Sequence, residues 1–326
     1  MAQVRMDVRL RVFDPATDFP AAREIRNANF PDNPTSLERM RFQWDALDTE
    51  RYYRERQVAV DPSTDRVVGV ASMGHNPEMF HPDKYEVGLS VHPEVQRRGI
   101  GNRLWEWLVD RLTSRGAVLA RTMVQEKHPH DVAFAERRGF VEKRRLWESI
   151  LPVDTVDLAT LAHRWERVRS QGIVLTTLAE ELEREPASLD RLYTLVSAAV
   201  RHMPLPDLPT DVPFEMFRRW IMESPGRLPD AFFIARDGDR YAGVSWLAKS
   251  EEPETLLQAL TATDPDYMGR GIAWALKLNT IEYAQTHGVR RIKTWNDSEN
   301  QPMLSINIRL GFQRQPAAIV MERAFT

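Results

Sequence analysis

The sequence predicts an α/β (α+β) protein of two tandem domains that share one fold, each with a mixed central sheet flanked by helices. Three observations support this fold class. The chain has 326 residues, which is the length of about two ordinary domains. Its two halves repeat each other in register. Each half also alternates β-rich runs with amphipathic helical segments.

The internal repeat is clearest around two glycine-containing segments. PEVQRRGIGNRLW, which starts at Pro93, aligns with PDYMGRGIAWALK, which starts at Pro265, at an offset of 172. The Gly-Phe pairs at Gly139 and Gly311 keep this offset, and DRVVGV matches DRYAGV at an offset of 174. The period is too long for a solenoid, so the repeat indicates two copies of a whole domain.

The elements of the first half follow from its pattern of apolar residues. Alternation predicts strands, a spacing of three and four predicts helices, and Gly116 ends the longest helix. In order, the elements are a strand (DVRLRVF), two helices (PAAREIRNANF and TSLERMRFQWDAL), a hairpin (RQVAV and DRVVGVASM), a strand (YEVGLSVHP), a long helix (GIGNRLWEWLVDRLTSRG), a strand (AVLARTMVQ), a short helix (DVAFAERRGF) and a last strand (VEKRRLWESIL).

The second half has the same order of elements. They are a strand (IVLTTL), two helices (LDRLYTLVSAAVRHM and PFEMFRRWIMES), a hairpin (AFFIARDGDRYAGVSWL), a strand (LLQALTAT), a long helix (GIAWALKLNTIEYAQTHG), a strand (RRIKTW), a short helix (PMLSINIRLGF) and a strand (AAIVMERAF). We therefore predict domains at 1–153 and 172–326, joined by a helical connector at 154–171. The proline-rich segment 203–213 lies between two helices and is predicted to be an ordered loop at the edge of a site.

The composition excludes several classes of function. The formal net charge of −3 gives no electrostatic reason to bind nucleic acid or an anionic membrane. The absence of cysteine excludes disulfides, thiolate nucleophiles and cysteine-ligated metals, and the histidines follow no metal-ligand spacing. No apolar run has the length of a membrane span, and charges interrupt the first residues, where a secretory signal needs an apolar core. The sequence therefore favours a cytoplasmic protein without a metal.

The segment EVQRRGIG joins a strand to the start of a long helix. The first amides of a helix have no intrahelical acceptor, so such a loop can hold an anion by its backbone. Gly99 and Gly101 allow a close approach of the backbone, and Arg97 and Arg98 add cations. The pattern lacks the features of a dinucleotide fingerprint or a P-loop. An isolated pattern of this kind is usually a helix cap, but its repetition in the second half favours a pyrophosphate site.

The segments VHPEVQRRGIG and ERRGF in the first half, and TDPDYMGRGIA and NDSENQPMLSINIRLGF in the second, resemble the GCN5-related N-acetyltransferases (GNAT). The resemblance covers nearly the whole chain and is to tandem two-domain members of the mycothiol synthase type. It implies a bulged strand before each loop, a splayed strand pair with the thioester between the strands, and acetyl-CoA (coenzyme A) as cofactor. It also implies an N-acetyltransferase with an amine as acceptor.

The resemblance also assigns residues to the cofactor. The first loop is complete, whereas Met268 stands where the family has Arg or Gln and is expected to weaken the second loop. Asn300 and Asn307, by contrast, are expected to hold pantetheine amides or order a water, while the first half has His128 and Ala135 there. The full cofactor-binding set is Val91, Gln96, Arg97, Arg98, Gly99, Ile100, Gly101, Thr263, Met268, Gly269, Arg270, Gly271, Ile272, Ala273, Asn300 and Asn307.

Acetyl transfer needs a neutral amine and a proton for the leaving thiolate. Glu86, on the strand before the first loop, is the candidate base, and the alternative is a solvated strand glutamate. Its repeat partner Gln258 cannot accept a proton, so the two halves are predicted to differ in chemistry. Asp297 and Glu299 are alternative carboxylates, or ordinary turn and helix-cap residues. A tyrosine acid, which the family often has four residues before the Gly-Phe pair, is absent from both halves.

Two other classes of function stay open at this point. One is a module that binds CoA or a protein partner with one or both domains catalytically silent. The other is a protein-interaction scaffold, which would tolerate the loss of both loops. Among enzymes, a small-molecule amine is favoured as acceptor over a protein terminus, and neither nucleic acid nor membrane is expected as a partner. The identity of the acceptor is set by variable helices and loops.

Overall fold

The computed structural model describes residues 5–325. The elements of the first half are β1 (Arg9–Val12), α1 (Phe19–Asn29), α2 (Leu37–Asp45), β2 (Arg54–Val60), β3 (Val67–Gly74), β4 (Lys84–Val91), α3 (Ile100–Ser114), β5 (Leu119–Gln125), α4 (Pro129–Glu136) and β6 (Val141–Pro152). All of these are elements that the sequence predicts.

The rest of the chain starts with two short helices in the predicted connector and continues with the second half. Its elements are α5 (Leu158–Leu161), α6 (His163–Arg169), β7 (Val174–Thr177), α7 (Leu178–Arg184), α8 (Ser188–Val200), α9 (Phe214–Glu223), β8 (Arg227–Asp237), β9 (Arg240–Lys249), β10 (Thr255–Thr263), α10 (Ile272–Thr286), β11 (Arg291–Asp297), α11 (Gln301–Leu310) and β12 (Gln313–Ala324). Within residues 5–325, no helix is long and apolar enough to cross a membrane.

The helix α7 is absent from the sequence-based prediction. It begins with a capping box, in which the Thr177 side chain accepts from the Glu180 amide and the Glu180 side chain accepts from the Thr177 amide. Threonine followed three residues later by glutamate is the sequence signal of this motif. The signal was therefore present in TLAE, but it lies at the end of a strand pattern that obscures it.

The chain divides into two compact units whose limits differ from the predicted domain boundaries. Unit 1 runs to Arg144 and resumes at Ile319, and unit 2 is Arg145–Ala318. The reason is strand exchange. Most of β6 pairs with β11 in unit 2, from Leu146 opposite Asp297 to Pro152 opposite Arg291. The end of β12 belongs to unit 1. The predicted boundaries at 153 and 172 thus mark the limits of the sequence repeat. The limits of the compact units differ from them because the last strand of each half belongs largely to the other unit.

Unit 1 has the strand order β1-β2-β3-β4-β5, followed by the end of β12. The strands β1 to β4 are antiparallel neighbours, and β4 and β5 are parallel because α3 crosses between them. The apolar face of α3, which includes Leu104, Leu108 and Leu112, is buried against this sheet. Ile319 and Met321 of the exchanged strand complete the same core.

Unit 2 has the strand order β6-β11-β10-β9-β8-β7. Here β10 and β11 are the parallel pair, and α10 crosses between them. Eight residues of α10 are buried, so this helix is enclosed on most of its surface. One of the eight is Lys277, which is 1% exposed. Each unit therefore has a mixed sheet flanked by helices, which confirms the predicted fold class.

A buried carboxylate links α7 to the sheet of unit 2. Glu181 is 1% exposed, and its carboxylate accepts hydrogen bonds from Arg184 at 2.8 Å, Arg236 at 3.0 Å and Tyr241 at 2.8 Å. Burial alone raises its pKa, but the hydrogen bonds from Arg184 and Tyr241 hold the pKa below its usual value. Glu181 therefore stabilises the fold as an ionised group.

We expect Glu181→Gln to lower the free energy of unfolding at neutral pH by about 2–3 kcal/mol, because charge-assisted hydrogen bonds to a buried acceptor are lost. A carboxyl with a lowered folded pKa contributes stability above its unfolded pKa and loses it as pH falls through the folded value. Urea unfolding should therefore show a smaller difference between variant and wild type at about pH 3. Exposed Glu183 on the same helix is the control, and Glu183→Gln should change stability by less than about 0.5 kcal/mol. An equal loss in both variants would contradict the assignment.

Candidate active site

Each crossover helix begins at a glycine in the left-handed conformation. Gly99, with φ of 89°, is the N-cap of α3, and Gly271, with φ of 93°, is the N-cap of α10. A second left-handed residue stands two positions earlier in each loop, Arg97 with φ of 61° and Gly269 with φ of 78°. The backbone of the two loops therefore has the same form. Both can present free helix amides to an anion, and their role in binding pyrophosphate stays a prediction.

The first loop is attached to its surroundings by Gln96. Its Nε2 atom donates to Asn29 Oδ1 at 2.9 Å and to the Val91 carbonyl at 3.1 Å. The Met6 amide donates to the Arg98 carbonyl at 2.9 Å. The side chains of both loop arginines are exposed at the rim. Gln96 therefore orders the backbone. The exposed guanidinium groups of Arg97 and of Arg98, whose Nη2 donates to the Glu94 carbonyl at 3.4 Å, lie on the solvent side of the loop.

The second loop is attached differently. Met268 is 56% exposed and makes no equivalent of the Gln96 hydrogen bonds. Instead, Arg167 donates to the Gly269 carbonyl at 3.1 Å, and Gln171 donates to the Arg270 carbonyl at 3.1 Å. Residues of the predicted connector thus support this loop, which compensates in part for Met268.

The first helical residues of both loops point into the cores. Ile100 and Ile272 are each 1% exposed. Gly101 lies so close to Phe134 that an added Cβ would be 3.2 Å from its ring, whereas the matching residue Ala273 carries a methyl group. The isoleucines therefore hold the helix start in place. Because their side chains are buried, the loop offers its backbone groups to an incoming ligand.

The parallel strands of each unit separate toward the loop. In unit 1, β4 pairs with β5 only at residues 84–86, although β4 continues to Val91. In unit 2, β10 pairs with β11 only at residues 255–257, although β10 continues to Thr263. Each unit therefore has a V-shaped opening between its parallel strands, as the resemblance implies.

Within residues 5–325, the bulge that the resemblance implies before each loop is present in β10 of unit 2, whereas this expectation is wrong for β4 of unit 1. The pairing of β10 with β9 shifts register between Gln258 and Leu260, so Ala259 stands out of the ladder. The Gln258 amide donates to the Trp246 and Leu260 carbonyls, each at 2.9 Å, and so satisfies groups that the bulge disrupts. In unit 1, β3 and β4 pair without a shift. Glu86, at the Gln258 position, has no side-chain amide that could satisfy the carbonyls freed by such a bulge.

Glu86 lies where the V of unit 1 begins. Its carboxylate is 3.2 Å from Arg121 Nη1, and Arg121 also binds Glu322 of the exchanged strand at 2.6 Å. Burial raises the pKa of Glu86, and the charge of Arg121 opposes that shift. The surroundings thus suit an ion-paired strand residue as well as a base, and the catalytic role of Glu86 stays a prediction.

A cavity of about 200 Å³ opens at the V of unit 2. Ala259 of the bulge, the separated ends of β10 and β11, α10 and α11 all contribute to its wall. Met203, Pro204 and Leu205 close one side, as predicted for the proline-rich loop. The complete lining is Leu146, Met203, Pro204, Leu205, Gln258, Ala259, Leu260, Thr261, Lys277, Thr294, Trp295, Asn296, Asp297, Asn300 and Met303.

The two asparagines singled out in the sequence occupy different places. Asn300 lines the cavity and caps α11, since its Oδ1 accepts from the Met303 amide at 3.3 Å. Asn307 is 2% exposed and donates to Asn296 Oδ1 at 2.7 Å. The Asn307 Oδ1 atom is buried without a hydrogen-bond partner among the described residues. Asn307 is not itself a lining residue, but Asn296, to which it donates, is. A buried acceptor without a partner next to a lining residue suits an amide donor of a pantetheine chain.

Two ionisable side chains are among the described lining residues, Asp297 and Lys277. Asp297 is 7% exposed, and its Oδ1 accepts from the Glu299 amide at 2.8 Å, whereas the Glu299 side chain is exposed and outside the lining. The sequence reasoning missed Lys277. The repeat contained a usable signal: at the position of a long apolar helix where the first half has Trp105, the second half has a lysine.

These features define a class of protein, an acyl-CoA-dependent transferase built from two similar α/β units. The chain belongs to the acetyltransferase (GNAT) family, whose sequence profile matches residues 19–140 and 197–312. It is an N-acetyltransferase that uses acetyl-CoA to acetylate an amine. The alternative of a silent CoA-binding or interaction module is not favoured.

The chain is similar in sequence to mycothiol acetyltransferases. It is 26% identical to that of Pseudarthrobacter chlorophenolicus over 264 residues, which cover 78% of this chain and 76% of the relative. It is 27% identical to that of Rhodococcus opacus over 271 residues, which cover 81% and 82%. The similarity thus extends through both halves.

Solved structures share the fold. A tandem GNAT protein from the clavulanic acid biosynthesis pathway has a TM-score of 0.72 at 17% identity, with 98% of each chain covered. A GCN5-related N-acetyltransferase from Sphaerobacter thermophilus has a TM-score of 0.66 at 18% identity, with coverage of 97% and 95%. These likenesses confirm the tandem GNAT architecture.

Proposed function

We propose that the protein transfers an acetyl group from acetyl-CoA to a primary amine of a small molecule, and that the transfer takes place in unit 2. The observation that carries this proposal is the cavity at the V of unit 2, which includes the bulge at Ala259 and a carboxylate, Asp297. The pairing of β4 in unit 1 has no such bulge. In this proposal each unit has a CoA-binding loop, and unit 2 alone carries out the transfer.

Acetyl-CoA supplies the activated acetyl group when it binds. The residues from Gly269 to Ala273 would hold its pyrophosphate at the start of α10, and the Oδ1 atom of Asn307 would accept a hydrogen bond from its pantetheine arm. The separated strands exclude water from the acyl end. Asp297 takes the proton of the acceptor amine as the nitrogen attacks.

Unit 1 has the complete loop, so we propose a second cofactor site at Gln96 to Gly101. Glu86 is the carboxylate that unit 1 offers as a base, and it is the competitor of Asp297 in this proposal. For the sequence repeat itself we keep the boundaries 1–153, 154–171 and 172–326. The cytoplasm remains the predicted location.

The acceptor enters beside the loop of Met203, Pro204 and Leu205, which gives the cavity an apolar side. Because mycothiol acetyltransferases are among the relatives, the acceptor amine of those enzymes is the first compound to test. At this level of identity the variable loops can select another amine, so a panel of amino sugars, polyamines and amino acids is the appropriate screen.

We expect acetyl-CoA to raise the melting temperature of the protein. At about 100 times its dissociation constant, a ligand stabilises by roughly 2.7 kcal/mol, which is a shift of several degrees for a chain of this size. Adenosine at the same concentration is the control, because it lacks the pyrophosphate. No shift at about millimolar acetyl-CoA would end the proposal.

The amine is identified by the release of CoA thiol during turnover. The chain has no cysteine, so a thiol reagent added to the reaction reports CoA alone. An amine that accelerates thiol release, with its acetylated product confirmed by mass spectrometry, is an acceptor. If the protein binds acetyl-CoA but acetylates no amine in the panel, a silent binding module becomes the better account.

A further inference from the structure

Lys277 is a buried amine in the wall of the cavity of unit 2. It lies on α10, is 1% exposed, and is among the residues that line the space between β10 and β11. Its Nζ atom is 4.8 Å from the centre of the Phe312 ring. Within residues 5–325 the structure shows no hydrogen bond or ion pair to this Nζ. Burial of an amine without a hydrogen bond or ion pair is costly, and the cation–π contact with Phe312 offsets only part of that cost, so a packing role alone does not explain it.

The repeat supplies an internal comparison for this position. Trp105 stands at the place of Lys277 in unit 1, and Phe140 stands at the place of Phe312. These two rings pack edge to face with centroids 5.6 Å apart. The same helix position in the same fold thus accepts an apolar aromatic side chain. In unit 2 the amine of Lys277 takes the place of this aromatic side chain, in the wall of the cavity proposed as the active site.

We propose that Lys277 is a catalytic residue that donates a proton to the thiolate of CoA as it leaves, an inference that rests on the function proposed for unit 2. The reaction needs a proton donor, since CoA leaves as a thiolate. Of the two ionisable side chains in the described lining, Asp297 is suited to accept a proton, and Lys277 is suited to donate one.

The surroundings of Lys277 set its acidity. Burial lowers its pKa to about 7, from 10.5 in solvent, so it can lose a proton near neutral pH. No ionisable residue lies on β10. On β11, Asp297 lines the same cavity, and Lys293 is engaged in ion pairs with Glu252 and Glu148. An amine with a pKa near the operating pH has the protonation balance that suits general acid catalysis.

The proposed step balances in atoms and protons. The neutral amine of the acceptor forms a C–N bond with the acetyl carbon, and the C–S bond of the thioester breaks with its electron pair on sulfur. The sulfur takes a proton from the Lys277 ammonium and leaves as CoA thiol. The nitrogen gives a proton to Asp297, which returns it to solvent, and Lys277 regains one from solvent.

Replacement of the amine by an apolar side chain of similar length tests this role. Lys277→Met should lower kcat by about 10²-fold or more, the usual effect of losing a positioned acid, with little change in the affinity for acetyl-CoA measured by calorimetry. Trp105→Met is the matched control, and it should leave kcat within a few fold. Lys277→Arg keeps a cation that cannot release its proton, so it should remain as slow as Lys277→Met. A fast Lys277→Met, or a full recovery with Arg, would overturn the proposal.

A second readout uses the wild-type protein and does not depend on turnover. The chain has six lysines, so a sample labelled with ¹³C-lysine shows few ε-carbon signals. One signal should titrate near pH 7 and move when acetyl-CoA is added, and it should be missing in Lys277→Met. Lack of such a signal would overturn the inference even if the acetyltransferase is active in unit 2. If Lys277→Met acetylates amines with a normal kcat, the inference about Lys277 is wrong and the proposed function stands. If the wild type acetylates no amine at all, the proposed function itself is wrong.

Discussion

Gly271→Glu should lower kcat/KM for acetyl-CoA by about 10³-fold or more, which corresponds to about 4 kcal/mol. The residue is the N-cap of α10 and has φ of 93°. A side chain there is strained, and its carboxylate lies where the helix amides would hold a pyrophosphate. An added Cβ meets only ordinary contacts, the nearest being Arg167 Cδ at 3.7 Å, so the cost to the fold is the strain of the left-handed conformation and not a clash at Cβ.

Two variants separate the causes of this loss. Gly271→Ala adds the backbone strain of about 1–3 kcal/mol without the charge, so it should lower stability more than it lowers cofactor affinity. Gly99→Glu makes the same change at φ of 89° in unit 1. Calorimetry should show that Gly99→Glu removes one bound acetyl-CoA while turnover stays within a few fold. If Gly99→Glu instead stops turnover and Gly271→Glu leaves it intact, the active unit is unit 1, as the complete loop at Gln96 to Gly101 would favour.

The second large effect is expected from Asp297→Asn. Loss of a positioned base lowers kcat by about 10²–10⁴-fold. Asparagine retains an oxygen that can accept the 2.8 Å hydrogen bond from the Glu299 amide, so the turn before α11 should form as before. Acetyl-CoA should still raise the melting temperature of the variant. A large loss of kcat with normal cofactor binding therefore identifies the charge of Asp297 as the missing element.

Glu86→Gln is the matched exchange in unit 1, and it decides between the two carboxylates. If Asp297 is the base, Glu86→Gln should change kcat by no more than a few fold, because its main contact is the ion pair with Arg121. If Glu86 is the base, this variant takes the loss of about 10²–10⁴-fold, and Asp297→Asn stays near normal. In that case the rate at low substrate should climb with pH above the usual range of a glutamate, since burial raises the pKa of Glu86 and the ionised form is the active one.

The sequence by itself determined the repeat, the order of nearly all elements and both glycine loops. These features depend on residues that are close in the chain. The left-handed residues at Gly99 and Gly271 belong to turns of a few residues, and the helices show their buried faces in their own spacing. For the same reason the family resemblance could be recognised, since its motifs are short segments at strand and helix ends.

The tertiary structure alone decided which strands close each unit and what surrounds the site. The exchange of β6 and β12 depends on pairing between residues more than a hundred positions apart, such as Ser149 opposite Thr294, and no local pattern specifies it. Gln258 satisfies carbonyls on two strands at the bulge, and Lys277 is an exceptional residue only because the cavity and the core enclose it. Burial and pKa are properties of packed neighbours, so these contributions to the chemistry became visible only when the chain was folded.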